Sequence, residues 1–139
     1  MSATVQYAIL LPDDEQAWEQ ATAEYRESIY ARHREFSRLL VEGGHELVGG
    51  AELAHSRTGR VVRGDRGAVT VTDGPYTKTA EQLTGFYLVR SSNLDDLLDL
   101  CGLIAGDGAV EVRPCTTDPD AAATNATEAT AAAGSGSAS

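Results

Sequence analysis

The chain has 139 residues, enough for one domain of ordinary size, and its 11 Lys and Arg residues against 21 Asp and Glu residues give a formal net charge of -10. This acidic balance argues against a nucleic-acid surface and against an anionic membrane surface, because both attract clusters of cationic side chains. No apolar run approaches the roughly 20 residues that span a bilayer. The N-terminus also lacks the basic start of a signal peptide. The sequence therefore predicts a cytoplasmic protein without a membrane segment.

The composition changes after residue 115. Residues 116–139 contain no aromatic residue and no Val, Leu or Ile. Such a segment has too little apolar surface to offset the entropy of ordering. We therefore predict one folded domain over residues 1–115 and a disordered tail rich in Ala, Thr, Gly and Ser over residues 116–139.

The domain opens with a strand followed by helix. Apolar residues alternate from Val5 to Leu11, which predicts a strand that Pro12, Asp13 and Asp14 end. Residues 13–42 favour helix, with a break near Thr22, a residue type that caps helix starts.

The main helix carries a single apolar stripe with a histidine in its middle. Steps of three and four residues place all its members on one face. The members are Tyr25, Ile29, His33, Phe36 and Leu40. This face has to be buried, and the glycine pair at 43–44 ends the helix.

The second half continues with strands, a hairpin and a shorter helix. Residues 46–53 predict a strand in which Gly49 and Gly50 indicate a bulge or a close approach of another group. The remaining elements are a hairpin over 58–72, a strand over 84–90, a helix capped by Asn93 with a stripe of Leu94, Leu97, Leu98, Cys101 and Ile104, and a strand over 109–113.

Without the hairpin the order is βαββαβ, which is typical of a ferredoxin-like α+β fold with both helices on one face of an antiparallel sheet. About 115 residues cannot supply a third layer for the other sheet face. A second copy is the simplest cover, so we predict a homodimer with its sheets packed face to face. The alternative is a monomer in which the outer sheet face is polar.

A signature segment lies between the hairpin and the last helix. Its matching positions are Asp73, Gly74, Pro75, Thr79, Glu81, Gln82, Leu83, Gly85, Phe86, Tyr87 and Leu88, and Glu111 to Pro114 form a second match near the end of the domain. With these residues the chain resembles the DGPF family, a branch of the YCII-related superfamily, over about residues 5–115.

The resemblance implies a dimeric α+β barrel with a cleft lined by a His and an Asp that has been suggested as an active site. It also implies a bacterial gene beside that of an extracytoplasmic-function sigma factor. Three positions depart from the family pattern: Tyr76 stands where the family has Phe, Lys78 where it has Glu, and Ala80 where it has Lys. The exchanged charge at Lys78 marks that residue as a candidate for setting ligand preference.

His33 and Asp73 are the candidate catalytic pair, because a carboxylate beside an imidazole orients it and raises its basicity. Tyr7 and Tyr87 could add hydroxyl groups to the same ligand-binding cleft, although core packing also explains them. His45 and His55 are interpreted as surface or loop residues. The His and Cys spacing matches no zinc pattern, and no phosphate-binding loop is present, so we predict neither a metal nor a cofactor.

Three functions remain open at this point. The first is a small enzyme that uses the His33–Asp73 pair for proton transfer on a small organic molecule. The second is a non-catalytic module that senses a metabolite or contacts a sigma factor. The third is a structural dimer in which His33 serves packing alone.

Overall fold

The computed structural model describes residues 3–116, so the predicted disordered tail lies outside the described residues apart from residue 116. The elements in chain order are β1 (Val5–Asp14), α1 (Glu15–Gln20), α2 (Ala23–Glu42), β2 (Glu46–Glu52), β3 (Arg60–Arg63), β4 (Thr70–Asp73), β5 (Glu81–Ser91), α3 (Leu94–Leu100), α4 (Gly102–Ala105) and β6 (Glu111–Pro114). Within this part of the chain, none of the helices has the length and apolar composition needed to cross a membrane.

Four strands form an antiparallel sheet in the order β2-β5-β1-β6, and β3 pairs with β4 in a separate two-stranded sheet. This arrangement confirms the predicted ferredoxin-like α+β class with an inserted hairpin. The two central strands, β1 and β5, come from different halves of the domain, so the sheet joins the N-terminal and C-terminal halves.

The core lies between one face of the sheet and the helices. Ile9 and Val89 face inward from β1 and β5, and Phe36, Leu40 and Leu97 cover them from α2 and α3. All five side chains are fully buried. The inward residues of the strands and the apolar stripe of α2 pack together in this layer. Both sets follow from the spacing of apolar residues, so the sequence could predict which side chains form the core.

The first strand continues past Pro12 and ends at Asp14, the last of the three residues predicted to end it. The register between β1 and β5 shifts between Leu11 and Pro12, and pairing then continues to Asp14. A proline is tolerated at such an irregularity because its missing N–H breaks no regular ladder bond there. The Thr84 hydroxyl donates to the Leu11 carbonyl at 2.9 Å and satisfies the backbone at the shift.

The helix stripes are shorter than predicted. Tyr25 lies in the first turn of α2 and is 54% exposed. Leu94 and Leu98 of α3 are also exposed, whereas Leu97 and Cys101 are buried. Only Leu97 and the C-cap residue Cys101 reach the core, so the buried stripe of α3 is narrower than predicted.

The glycine pair in β2 produces both of the predicted effects. The register between β2 and β5 shifts between Leu47 and Gly49, which is the bulge. Gly50 has a φ of 149°, and a Cβ there would lie 2.5 Å from the carbonyl oxygen of Phe86. A Cβ on Gly49 would meet only the Leu88 side chain, at 3.9 Å.

Replacing Gly50 by Ala is therefore expected to lower the free energy of unfolding by about 1–3 kcal/mol, since the neighbouring strand cannot move away from the new methyl group. Urea unfolding of the two single variants measures the difference, with Gly49→Ala as the matched control. Equal losses in both variants would contradict the close approach as the cause.

The second sheet face has no cover within the described residues. Leu10 pairs with Phe86, and Ala8 pairs with Leu88, so these side chains share the face opposite the helices. They are partly exposed. The packing of this face against a second copy stays a prediction.

Candidate functional site

A cleft of about 1180 Å³ opens at the edge of the sheet where β1 ends and β5 begins. It is bounded by α1, by the first half of α2, by the end of β2 with the loop after it, and by residues 103–110. Aromatic, histidine and carboxylate side chains converge on it. A large concave site with converging polar groups is the usual form of a small-molecule site.

His33 and Tyr87 are joined by a hydrogen bond in the wall of this cleft. His33 Nδ1 lies 2.6 Å from the Tyr87 hydroxyl oxygen, and the two rings are stacked with their centroids 5.8 Å apart. The Phe36 ring packs against Tyr87 at 5.2 Å. Buried Phe36 therefore fixes the phenol, and the phenol fixes the imidazole.

Burial shifts both groups toward their neutral forms. It lowers the pKa of His33 below its ordinary value, while the charge of Glu52 acts in the opposite direction. Burial likewise raises the pKa of Tyr87, against a smaller lowering by a hydrogen bond from Ser37. At neutral pH the pair is a neutral imidazole beside a neutral phenol. When Nδ1–H donates to the phenol oxygen, Nε2 keeps a free lone pair.

The lowered pKa of His33 predicts a pH dependence of stability. Below pH 6.5, the ordinary value for His, the unfolded chain takes up a proton at this position that the folded chain takes up only at lower pH. Stability from His33 is thus present above pH 6.5 and is lost as the pH falls through the lowered pKa. Urea unfolding measures the free energy of unfolding of the wild type and of His33→Gln at several pH values across this range. As the pH falls, the wild type should lose more stability than His33→Gln does. A pH-independent difference would contradict the burial of His33 as the cause.

A further part of the cleft wall, one turn before His33 on α2, is aromatic and tightly connected. Trp18 and Tyr30 meet edge to face at 5.6 Å, and the Tyr30 hydroxyl donates to Glu52 at 2.9 Å. Arg26 donates to the carbonyls of Trp18 at 3.1 Å and Glu19 at 2.6 Å. These bonds attach the short helix α1 to α2 and hold the wall in place.

A second histidine lies at the mouth of the cleft. His55 Nδ1 accepts the Arg57 N–H, so its Nε2 carries the proton and faces the carboxylates of Glu15 at 3.6 Å and Glu19 at 3.8 Å. Glu15 also accepts the backbone N–H and the hydroxyl of Ser56. His55 is a loop residue as predicted, but its place in the cleft was missed because its partners are about 40 residues distant in sequence.

The cleft is acidic. Its lining contains five carboxylates and two guanidinium groups: Asp13, Glu15, Glu19, Glu52 and Asp107 against Arg26 and Arg32. Both hydrogen bonds of the Arg26 guanidinium go to backbone carbonyls. This surface favours a neutral or cationic molecule over an anion.

The structure separates the other predicted site residues from the cleft. Asp73 ends β4, its side chain is 88% exposed, and its nearest cation is Arg60 at 3.9 Å. No hydrogen bond joins Asp73 to His33 among the described residues, so their pairing stays a prediction. Tyr7 belongs to the core, and Lys78 is exposed on the loop before β5. Within residues 3–116, no group of three His, Cys, Asp or Glu side chains could hold a metal ion.

His45 lies in the short loop between α2 and β2, as one of the two predicted alternatives had it, but it is not a surface residue. His45 is 5% exposed and joins the loop before β2 to β5 and α3. Its Nδ1 lies 2.8 Å from the Ser91 hydroxyl and its Nε2 lies 2.7 Å from the Asp96 carboxylate. Ser91 accepts the Asn93 N–H, which leaves the hydroxyl proton for Nδ1, and Nε2–H then donates to Asp96. Ser91 is itself buried, so this network fastens the fold and exposes no nucleophile.

The same network changes the predicted cap of α3. Asn93 caps the helix by accepting the Asp96 N–H at 3.1 Å, as predicted. The Asp96 side chain, however, bonds to His45 instead of returning to the Asn93 N–H, so the capping box is only half formed.

A signal for the burial of His45 exists in the sequence. Gly44 takes a positive φ of 83° after α2, and the backbone N–H groups of Gly44 and His45 bond to the carbonyls of Val41 and Leu40. This is the Schellman end of a helix, in which the residue after the glycine turns back onto the last helical turn. A histidine at that position is therefore directed inward.

Two comparisons relate the chain to known proteins. The family model described as "YCII-related domain" matches residues 5–116. An uncharacterized protein of Rhizobium meliloti (strain 1021), R00369, is 34% identical over 112 residues, which cover 78% of this chain and 90% of that protein.

Proposed function

The chain belongs to the YCII-related domain family, and on that premise we propose that it is a small enzyme that transfers a proton on a neutral or cationic organic molecule bound in the cleft. His33 is the general base, and Tyr87 is the residue that positions it. The observation that carries this proposal is the 2.6 Å hydrogen bond between His33 and Tyr87 in the wall of an aromatic cleft.

The lowered pKa of His33 supports the role of a base. A neutral imidazole can accept a proton at neutral pH, whereas an imidazolium cannot. Tyr87 fixes one ring nitrogen, so the other is directed toward the reacting atom. Because the Tyr87 pKa is raised, its phenol keeps its proton and can bond to an oxygen that becomes negative during the reaction.

Asp73 is proposed as a further partner of the imidazole only through contact between subunits, since it lies on a strand that projects from the domain.

The alternative function is a sensor that binds the same kind of molecule without a reaction. The same cleft supports it, because the bond to Tyr87 also satisfies His33 in a non-catalytic pocket. Contact with a sigma factor stays a prediction, for which a pull-down with the factor encoded beside the gene is the test.

Deuterium exchange tests the proposal on compounds of the class that the cleft favours. The protein is incubated in deuterated water with a panel of neutral ketones and amino ketones, and proton NMR follows the signal of the hydrogen next to each carbonyl. Loss of one signal faster than in buffer supports proton transfer. Binding in a melting-shift assay without exchange indicates the sensor, and neither binding nor exchange across the panel overturns both functions of the cleft.

A further inference from the structure

The segment 59–80, here called the arm, consists of a ribbon of β3 and β4 apart from the main sheet and of the loop 74–80 that leads from this ribbon to β5. β3 and β4 pair from Arg60 with Asp73 to Arg63 with Thr70, and they bond to no third strand among the described residues. The apolar side chains exposed on the arm are Val62, Val69, Val71 and Tyr76. Two strands alone are marginally stable in water, so a ribbon with this exposed apolar surface requires a cover.

The root of the arm is fixed. The Gly74 N–H donates to the Gly59 carbonyl at 2.9 Å, and a Cβ on Gly74 would lie 3.1 Å from the carbonyl carbon of Gly59. This close approach ties the two ends of the ribbon together beside the loop that carries His55. From Gly59 to the turn at Asp65 the arm can extend roughly 20 Å, a distance sufficient to reach a neighbouring molecule.

Charge indicates which molecule that is. The arm holds four basic residues and two acidic ones, whereas the rest of residues 1–115 holds seven basic and sixteen acidic residues. The basic residues of the arm are Arg60, Arg63, Arg66 and Lys78, which include the only lysine of the chain. The arm is thus opposite in charge to the domain from which it projects, and the cleft holds five carboxylates of that domain. Nucleic acid would also attract the arm, but the net charge of -10 repels phosphate from the whole chain.

We infer that the arm of one subunit packs on the acidic rim of the cleft of a second copy of this chain. Arg63 and Arg66 near the turn face carboxylates such as Asp13 and Asp107 in the neighbour, and the exposed valines of the arm are covered in the same contact. This contact is distinct from the packing of the open sheet face, and it does not depend on proton transfer in the cleft.

Charge reversal tests the contact through the dimer dissociation constant, measured by sedimentation equilibrium. The double variant Arg63→Glu with Arg66→Glu should weaken association by about tenfold or more, because it places like charges opposite each other. The control Arg34→Glu alters an exposed arginine of α2 whose partner is Glu27, and it should leave the constant nearly unchanged. Added salt should weaken the wild-type dimer.

A compensating variant makes the test specific. A chain with Asp13→Arg and Asp107→Arg, mixed with the arm variant, should restore association between the two unlike chains. A wild-type chain that remains monomeric at the highest attainable concentration overturns the inference, as does a dimer that the arm variant leaves intact. Binding of the arm to a DNA duplex in place of a second copy, followed by fluorescence anisotropy, also overturns it. None of these readouts uses activity, so failure here is separate from failure of the proposed function.

Discussion

Replacing His33 by Gln is expected to lower the rate of deuterium exchange by about 10²–10⁴, the usual contribution of a positioned general base. Glutamine keeps a polar group that can reach Tyr87, so the cleft is retained while the titrating nitrogen is lost. The NMR exchange assay measures the rate. His55→Gln is the matched control, since His55 lies at the mouth of the cleft and faces Glu15 and Glu19 instead of Tyr87.

The pH profile adds a second readout for the same site. In the wild type the exchange rate should fall on the acid side below pH 6.5, because the protonated imidazole cannot act as a base and its pKa is lowered by burial. Tyr87→Phe should move this acid limb as well as reduce the rate, since Tyr87 positions His33. An unchanged profile in Tyr87→Phe, or a His33→Gln rate equal to that of the wild type, would remove His33 as the base.

Replacing His45 by Ala is expected to lower the free energy of unfolding by about 2–4 kcal/mol. The substitution removes the bonds to Ser91 and Asp96 and leaves a space beside a hydroxyl whose residue is only 3% exposed. Urea unfolding measures the loss. His55→Ala, a histidine half-buried on a loop, is the control and should cost far less.

A double-mutant cycle separates the network from simple loss of volume. In His45→Ala with Ser91→Ala both partners of the buried bond are absent, so the combined loss should fall short of the sum of the single losses by about 1 kcal/mol. Additive losses would show that His45 stabilises the fold by packing alone.

Local patterns explain how much of the fold could be predicted. The alternation of apolar residues in β1 predicts one buried face of the strand, and the spacing of apolar residues from Ile29 to Leu40 predicts one buried face of α2. Two apolar faces of this kind are buried by packing on each other. The glycine pair in β2 indicated a backbone constraint that was found at Gly50. The end of β1 could not be predicted in the same way. Pro12 lies at a register shift between β1 and β5, and pairing beyond it depends on the neighbouring strand β5.

Periodicity, capping residues and glycine positions were enough to establish the α+β class, the helical face that carries His33 and the separate character of the hairpin. The partners of the histidines, in contrast, depend on how the elements pack in three dimensions. His33 meets Tyr87, 54 positions away, and His45 meets Ser91 and Asp96, 46 and 51 positions away. A hydrogen bond needs two groups within about 3 Å, and spacing along the chain does not specify distances between strands and helices that are joined only by packing.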